Sequence, residues 1–418
     1  MTDYNRFLSR AAMSLRESAI RKMGTVLASS REVISFAPGY PAQESFAWDE
    51  FRAIADDLLT RRGPDLLQYG PTRGFKPLVE VIQGIQKSRG MEVGPAQVVV
   101  TTGSQQGLYL VARALFDPGD VVLVELPSYT GAITAFSGFG AELAGVKQDA
   151  DGINLEDLDR VTSRLRAQGK RVKAVYVVPN FQNPTGLLIS LEKRRGLVAW
   201  AERRDVLIIE DDPYRDLYFT DTTTEADTRP IAADDPSGRT MYLSSFSKTL
   251  APGFRTAWIV APAPIASKIE LAKQAVDLCT SGFDQQMVYE ACVRGVLAAQ
   301  APKLRALYQR KRDAMVAAIH EHASELSGPD PRGGFFLWAK LPPRLDADTL
   351  LERATAQGVI YVTGTAFFVD GSGGEFIRLS FSAPSEDRIR EGVRRLAKAM
   401  TEEPETMVPQ VPLVPQVP

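Results

Sequence analysis

The chain has 418 residues, 44% of them hydrophobic, enough for one large or two medium domains, since single cores stop growing at roughly 250–300 residues; disorder, collagen and a disulfide-stapled mini-scaffold are excluded. Lysine plus arginine total 49 against 51 acidic residues, so the net charge of −2 gives no broad positive field for nucleic acid or an anionic membrane. Cys279 and Cys292 are the only cysteines and lack C-x-x-C spacing, so no disulfide framework or Cys-rich metal site is expected, and a reducing cytoplasm fits.

Met1 to Arg21 is interrupted by Arg6, Arg10, Arg16 and Glu17 and lacks the apolar core of an export signal. No later stretch reaches the ~18 apolar residues of a membrane span. From Gln97 onward, short β-branched runs alternate with longer amphipathic stretches, the rhythm of strand-helix-strand units and a largely parallel sheet covered on both faces. Val98 to Thr101, Val121 to Val124, Val172 to Val178, Val206 to Ile209 and Met241 to Leu243 read as strands too uniformly apolar to have a wet face. Gln105 to Leu115 and Leu191 to Arg204 carry helical periodicity. A helical region from about Asp284 to Leu326, expected to break near Pro302, leads to a second group: Phe335 to Ala339, Val359 to Val362, Phe376 to Phe381, and a helix from Ser385 to Met400. This second group reads as a smaller α+β domain. Glu402 to Pro418 contains Val-Pro-Gln-Val-Pro twice, and prolines at this density favour extended, disordered chain.

Two common enzyme readings fail. No G-x-x-x-x-G-K-[ST] is present to pair with the acidic strand end Glu210-Asp211-Asp212, and no G-x-G-x-x-G follows the first core strand, so a P-loop NTPase and a simple Rossmann dehydrogenase drop out. His320 and His322, the only histidines, are two apart on a helix and point to different faces rather than at one metal.

The remaining polar residues sit just beyond strand ends, where an α/β sheet places its ligands. Thr102-Gly103-Ser104-Gln105-Gln106-Gly107 opens a helix whose free N–H groups and dipole suit a phosphate, although alone such a start is more often an ordinary cap. Asn180 to Gly186 follows another strand, and Asp211 stands at a third strand tip before Pro213-Tyr214. Ser244-Ser245-Phe246-Ser247-Lys248 follows a fourth, with Arg255 seven residues on. These types suit pyridoxal 5′-phosphate, which needs an amine for its aldehyde, a carboxylate for its pyridinium nitrogen, donors for its phosphate, and phenol or amide groups for its ring oxygen.

With these motifs in order, the chain resembles the fold-type-I pyridoxal-phosphate aminotransferases of class I/II, in the branch of 2-aminoadipate, kynurenine and aromatic amino-acid aminotransferases. The resemblance runs from Ser35-Phe36-Ala37-Pro38-Gly39 to Ile377-Arg378-Leu379-Ser380-Phe381. It rests on Leu67-Gln68-Tyr69-Gly70, Gly103 to Gly107, Pro179 to Gly186, Glu210 to Tyr214 and Ser245 to Lys248.

It implies a mainly parallel sheet with helices on both faces in a large cofactor domain, residues 35–290, and a small α+β domain, residues 291–401. An N-terminal arm, residues 1–34, would cover the site, and a tail, residues 402–418, would follow. It makes Lys248 the Schiff-base lysine and proton carrier, Asp211 the partner of the ring nitrogen, and Tyr129 a ring-stacking residue of the catalytic set. Asn183 and Tyr214 would meet the ring 3-oxygen. Ser104, Gln105, Ser245, Ser247 and Arg255 would grip the phosphate, with Tyr69 reaching it from the other subunit of a homodimer with shared active sites. Arg378 would bind the substrate α-carboxylate, with Gly39 and Asn183 beside it and Arg21 facing a distal carboxylate.

The implied reaction is ping-pong transfer between an L-amino acid (aromatic, 2-aminoadipate-like or specialised biosynthetic) and a 2-oxo acid such as 2-oxoglutarate. Gly39-Tyr40-Pro41 departs from the commoner Gly-Leu-Pro of this branch, in the segment that lines the side-chain pocket. A lyase or decarboxylase on the same scaffold is the alternative, because cofactor-binding residues do not decide which bond at Cα breaks. A regulatory domain of the same fold is remote, since fewer than forty residues precede Ser35, too few for a basic winged-helix module.

Overall fold

Strands buried on both faces need apolar residues at consecutive positions, and that is how the runs noted above are used. The computed structural model describes residues 2–9, 12–13 and 33–401; Arg21 and residues 402–418 lie outside the described residues. The strands of the first part are β1 (Ile34–Ser35), β2 (Val98–Thr102), β3 (Val121–Leu126), β4 (Glu142–Asp149), β5 (Gly152–Ile153), β6 (Val172–Val177), β7 (Leu207–Asp211), β8 (Thr240–Ser245) and β9 (Thr256–Val260). The accompanying helices are α1 (Trp48–Arg62), α2 (Lys76–Ser88), α3 (Ser104–Leu115), α4 (Thr130–Ser137), α5 (Leu155–Ala167), α6 (Leu191–Arg204), α7 (Ala263–Gln274), α8 (Gly282–Val293) and α9 (Val296–His322).

Eight strands form one sheet in the order β2-β9-β8-β7-β6-β3-β4-β5. The pairs from β8 across to β4 are parallel, whereas β9 lies antiparallel between β2 and β8, and β5 is antiparallel to β4. Consecutive residues of β3 enter different cores: Val122 and Val124 pack with Leu108 of α3 and Phe136 of α4, and Val121 and Leu123 with Leu158 of α5 and Leu197 of α6. Each such side chain withdrawn from water stabilises the fold by about 1.5–3 kcal/mol before chain entropy is counted.

The second group comprises β10 (Phe336–Lys340), α10 (Ala347–Ala356), β11 (Val359–Ile360), β12 (Val362–Thr363), β13 (Phe376–Ser380) and α11 (Glu386–Thr401). β10, β13 and β12 form a three-stranded antiparallel sheet, and β1 pairs with β11, tying the segment before Gly39 to this group. α11 buries Ile389, Val393, Leu396 and Met400, a spacing that puts them on one face. The break in the long helical region falls at Gly295, whose φ of 77° belongs to glycine, and not at Pro302. Pro302 sits in the second turn of α9, where its ring removes a single rung of the ladder.

Candidate active site

The carboxyl ends of β6, β7 and β8 lie side by side, so Asn183, Asp211 and Lys248 follow from register alone. On β7, side-chain alternation sends Glu210 and Asp211 to opposite faces. Glu210 is spent on structure: it accepts from the backbone N–H groups of Ile231 (2.8 Å) and Ala232 (2.9 Å), and burial pushes its pKa up to about 8. Asp212, also buried, accepts from Asn180 Nδ2 (2.8 Å) and the Tyr242 hydroxyl (3.0 Å).

Asp211 differs from both. Its Oδ2 accepts from the Tyr176 hydroxyl at 2.8 Å, while Oδ1 is buried with no partner among the described residues. Burial pushes this carboxyl up to about 7, the Tyr176 hydrogen bond opposing the shift and the Asp212 charge adding to it.

Lys248 is half-buried, and its ammonium has protein on most sides. Nζ donates to the Gly39 carbonyl at 3.0 Å and lies 5.9 Å from the Tyr214 ring centre and 5.6 Å from that of Phe335. Desolvation first, then the Arg255 and Arg378 charges, lower its pKa to about 8, so an appreciable neutral fraction exists near neutral pH. A side chain at Gly39 would force the Phe336 ring to shift, because a Cβ would stand 2.6 Å from its Cζ.

Arg378, on β13, closes the other side. It is 1% exposed and stacks on the Phe336 ring (4.4 Å) and the Phe367 ring (5.1 Å). Its Nη1 donates to Asn183 Oδ1 at 2.7 Å and its Nη2 to the Ala37 carbonyl, while Nε is buried with no partner among the described residues. Among the described residues no carboxylate pairs with it, and burial lowers its pKa to about 10. Such a guanidinium can still offer N–H groups to a planar anion. Tyr214 is buried against Phe335 and Phe336, and burial raises its phenol.

The helix start expected to face a phosphate lies beside the turn after β8. α3 starts behind Gly103 (φ 78°) without a side-chain cap, leaving first-turn N–H groups to face outward. The Arg255 guanidinium packs on Gly103 so closely that a Cβ there would collide with it. Arg255 itself adopts φ 46°, and its Nη1 donates to the Pro252 carbonyl at 3.3 Å. Ser245 Oγ and Ser247 Oγ are 2.8 Å apart. Gln105 Nε2 donates to the Gly131 carbonyl (2.9 Å), and its Oε1 is 3.5 Å from the Tyr129 hydroxyl, so this side chain links α3 to Tyr129. Ser104 begins α3. Tyr69 stands apart, 78% exposed, with its N–H donating to the Gln68 side chain.

Two residues of this region escape sequence reasoning. Tyr176 sits inside an apolar strand and looks like core. Glu125, at the end of β3, accepts from Val178 N–H, Gln182 Nε2 and Gln148 Nε2, each at 2.9 Å, and burial pushes it up to about 7. It braces the loop that carries Asn183, and a lone carboxylate inside Val-Val-Leu-Val-Glu-Leu is the signal that marks it.

Residues 31–396 match the family model for aminotransferase class I and II. The chain belongs to that family. This aminotransferase is 38% identical over 403 residues to the aromatic-amino-acid aminotransferase 1 of Thermococcus litoralis, covering 96% of this chain and 95% of that one. It is 37% identical to the kynurenine aminotransferase of Pyrococcus horikoshii, solved with PMP, over 95% of this chain and 98% of that one, with a TM-score of 0.90. The α-aminoadipate aminotransferase of Thermus thermophilus, solved with N-(5′-phosphopyridoxyl)-L-leucine, is 35% identical over 96% of this chain and 98% of that one, with a TM-score of 0.86. As a member, the aminotransferase depends on pyridoxal phosphate. Among the described residues no helix is long and apolar enough to cross a membrane.

Proposed function

We propose that this aminotransferase moves the amino group of an L-amino acid with an aromatic or 2-aminoadipate-like side chain to a 2-oxo acid such as 2-oxoglutarate. We place it in the cytoplasm, as a homodimer with shared sites to which Tyr69 contributes across the interface. The observation that carries the reading is the buried Oδ1 of Asp211, without a partner among the described residues, on the strand beside the one that leads to Lys248. A buried carboxylate oxygen without a donor is costly, and a ring N–H would relieve it. The exposed ring of Tyr69 supports the dimer, and the names of the similar enzymes above support the substrate range.

The residues present fit pyridoxal phosphate. Asp211 offers its free oxygen to the ring nitrogen, the uncapped start of α3 with Ser104, Gln105, Ser245, Ser247 and Arg255 suits a phosphate dianion, and Lys248 supplies the amine. When bound, the cofactor carries the amino group on its aldehyde carbon and draws electrons away from the substrate Cα.

The chain's own groups do the rest. Asp211 keeps a proton on the ring nitrogen. Lys248, with its pKa lowered to about 8, would hold the cofactor through its amine, and once the substrate amine had displaced it, its free amine would carry a proton between the substrate Cα and the aldehyde carbon. Asn183 spends its Oδ1 on Arg378, which leaves its Nδ2 to donate to the ring 3-oxygen, beside Tyr214. Tyr129, tied to α3 through Gln105, covers one ring face. Arg378 holds the α-carboxylate through its remaining N–H groups, which orients the Cα–H bond.

The test follows nitrogen. With a 15N-labelled donor amino acid and no acceptor, about one label per site is expected to stay with the protein fraction and to appear in glutamate once 2-oxoglutarate is added. Release of labelled ammonia or of carbon dioxide instead refutes transfer and returns the lyase or decarboxylase. A fully active monomer in sedimentation would remove the shared-site part.

A further inference from the structure

Asp211 has a neighbour whose placement follows from sheet register. Tyr176 on β6 lies opposite Ile209 on β7, and Asp211, two residues on, shares its face of the sheet. A long side chain reaches such a diagonal neighbour, and the Tyr176 hydroxyl meets Asp211 Oδ2 at 2.8 Å. The phenol cannot turn away: Tyr176 is 0% exposed and its ring meets Phe136 edge-on, with centres 5.5 Å apart and planes at 75°.

We propose that Tyr176 is a positioning residue for the reaction, its hydroxyl holding Oδ2 of Asp211 so that Oδ1 alone faces the ring nitrogen and governing how tightly the proton between them is kept. This rests on the reading of Asp211 given above. A carboxylate held at one oxygen cannot rotate, so the other oxygen is aimed before cofactor arrives. The same hydrogen bond withdraws charge from the carboxylate. It is the influence that opposes burial in setting the Asp211 pKa, so losing it makes Asp211 a stronger base, able to pull the proton off the ring nitrogen.

The measurement uses the full chain with 13Cγ-labelled aspartate, before and after loading with 15N-ring-labelled pyridoxal phosphate. The Asp211 signal is assigned by its loss in Asp211→Asn. In the cofactor-free chain, Tyr176→Phe is expected to raise the Asp211 titration by about one pH unit. 3-Fluorotyrosine at position 176, a more acidic donor of nearly the same size, is expected to lower it. In the loaded enzyme, Tyr176→Phe is expected to move the ring-nitrogen signal toward its unprotonated value and to cut kcat about 10-fold while KM for the amino acid stays within about 2-fold.

Because phenylalanine keeps the contact with Phe136, a packing role alone predicts no shift of the titration. Unchanged titration in both Tyr176 chains overturns the proposal, and if the phenylalanine chain does not fold, the fluorotyrosine chain decides. If the titration shifts but the ring-nitrogen signal ignores both Tyr176→Phe and Asp211→Asn, the failure lies in the reading of Asp211 as ring partner, and the proposal falls with it.

Discussion

The two ends of the parallel strands treat the same residue types in opposite ways. At the amino end, Asp120 before β3 receives Arg171 Nε at 2.5 Å and Lys173 Nζ at 2.8 Å, and these partners outweigh burial to bring its carboxyl down to about 2. At the carboxyl end, Asp211 has one neutral donor and a free oxygen, and burial takes it up to about 7. The cations divide likewise: Lys173 also reaches the Leu115 carbonyl (2.5 Å), while among the described residues Lys248 donates to the Gly39 carbonyl with no acid beside it, and Arg378 likewise has no acid. One edge satisfies its charges internally and is finished as structure. At the other, beside the satisfied Glu210 and Asp212, the groups Asp211, Lys248 and Arg378 keep bonding capacity unused among the described residues, an arrangement that suits a ligand.

The largest break of this contrast is Lys248→Ala. With Lys248 in the covalent and proton-carrying role proposed above, its removal is expected to cost about 10⁴-fold or more in turnover, while Lys173→Ala at the other edge stays within about 2-fold. Borohydride supplies an independent reading: it is expected to fix cofactor to the wild-type chain and to leave the Lys248→Ala chain unlabelled. Cofactor still fixed to that variant would move the assignment to another amine.

Arg378→Lys comes next, because an ammonium cannot reproduce the planar fork that a carboxylate meets. We expect kcat/KM to fall about 10²-fold for both the amino acid and the 2-oxo acid, with cofactor retained, and Arg171→Lys to leave both unchanged. A loss confined to kcat, with substrate binding intact, would argue that Arg378 acts on the chemistry and not on the carboxylate.

Much of the reactive edge was legible because an apolar run that stops at a polar residue marks a strand end. Asn183, Asp211 and Lys248 each stand at or just beyond such a stop. Tyr176 was not legible, since a tyrosine inside Val-Lys-Ala-Val-Tyr-Val has the pattern of core, and only pairing with Ile209 shows which carboxylate it meets. β9 is hidden for a similar reason: its place between β2 and β8 is set by antiparallel pairing to strands distant in the chain, which its own short apolar run does not show. Proline drew the expected helix break to residue 302, although a second-turn proline costs one rung and the glycine at 295 changes the direction of the chain.

The finest test compares the two aspartates through stability and pH in the cofactor-free chain. Asp120 has a folded value of about 2 against an ordinary 3.8, so its contribution is present above about pH 4 and is lost as pH falls through about 2. Asp120→Asn is therefore expected to destabilise by about 1–2 kcal/mol near neutrality, the gap narrowing in acid, with the exposure of Arg171 keeping the effect modest. Asp211 runs the other way. With a folded value of about 7 against 3.8, the unfolded chain gives up its proton first as pH rises from about 4, so folding is progressively penalised up to about 7 and the penalty is constant beyond. Asp211→Asn is expected to stabilise the cofactor-free chain by about 1–3 kcal/mol above neutrality and to make no difference below about pH 4. Pyridoxal phosphate then separates the two edges: by giving Asp211 its missing partner it is expected to reverse the sign at position 211, through linkage to the folded state, and to leave the deficit at position 120 where it was. Thermal unfolding with and without cofactor at three pH values reads all of this, and a position 211 whose variant is the less stable one even without cofactor would show that its free oxygen is not the strained group that the comparison requires.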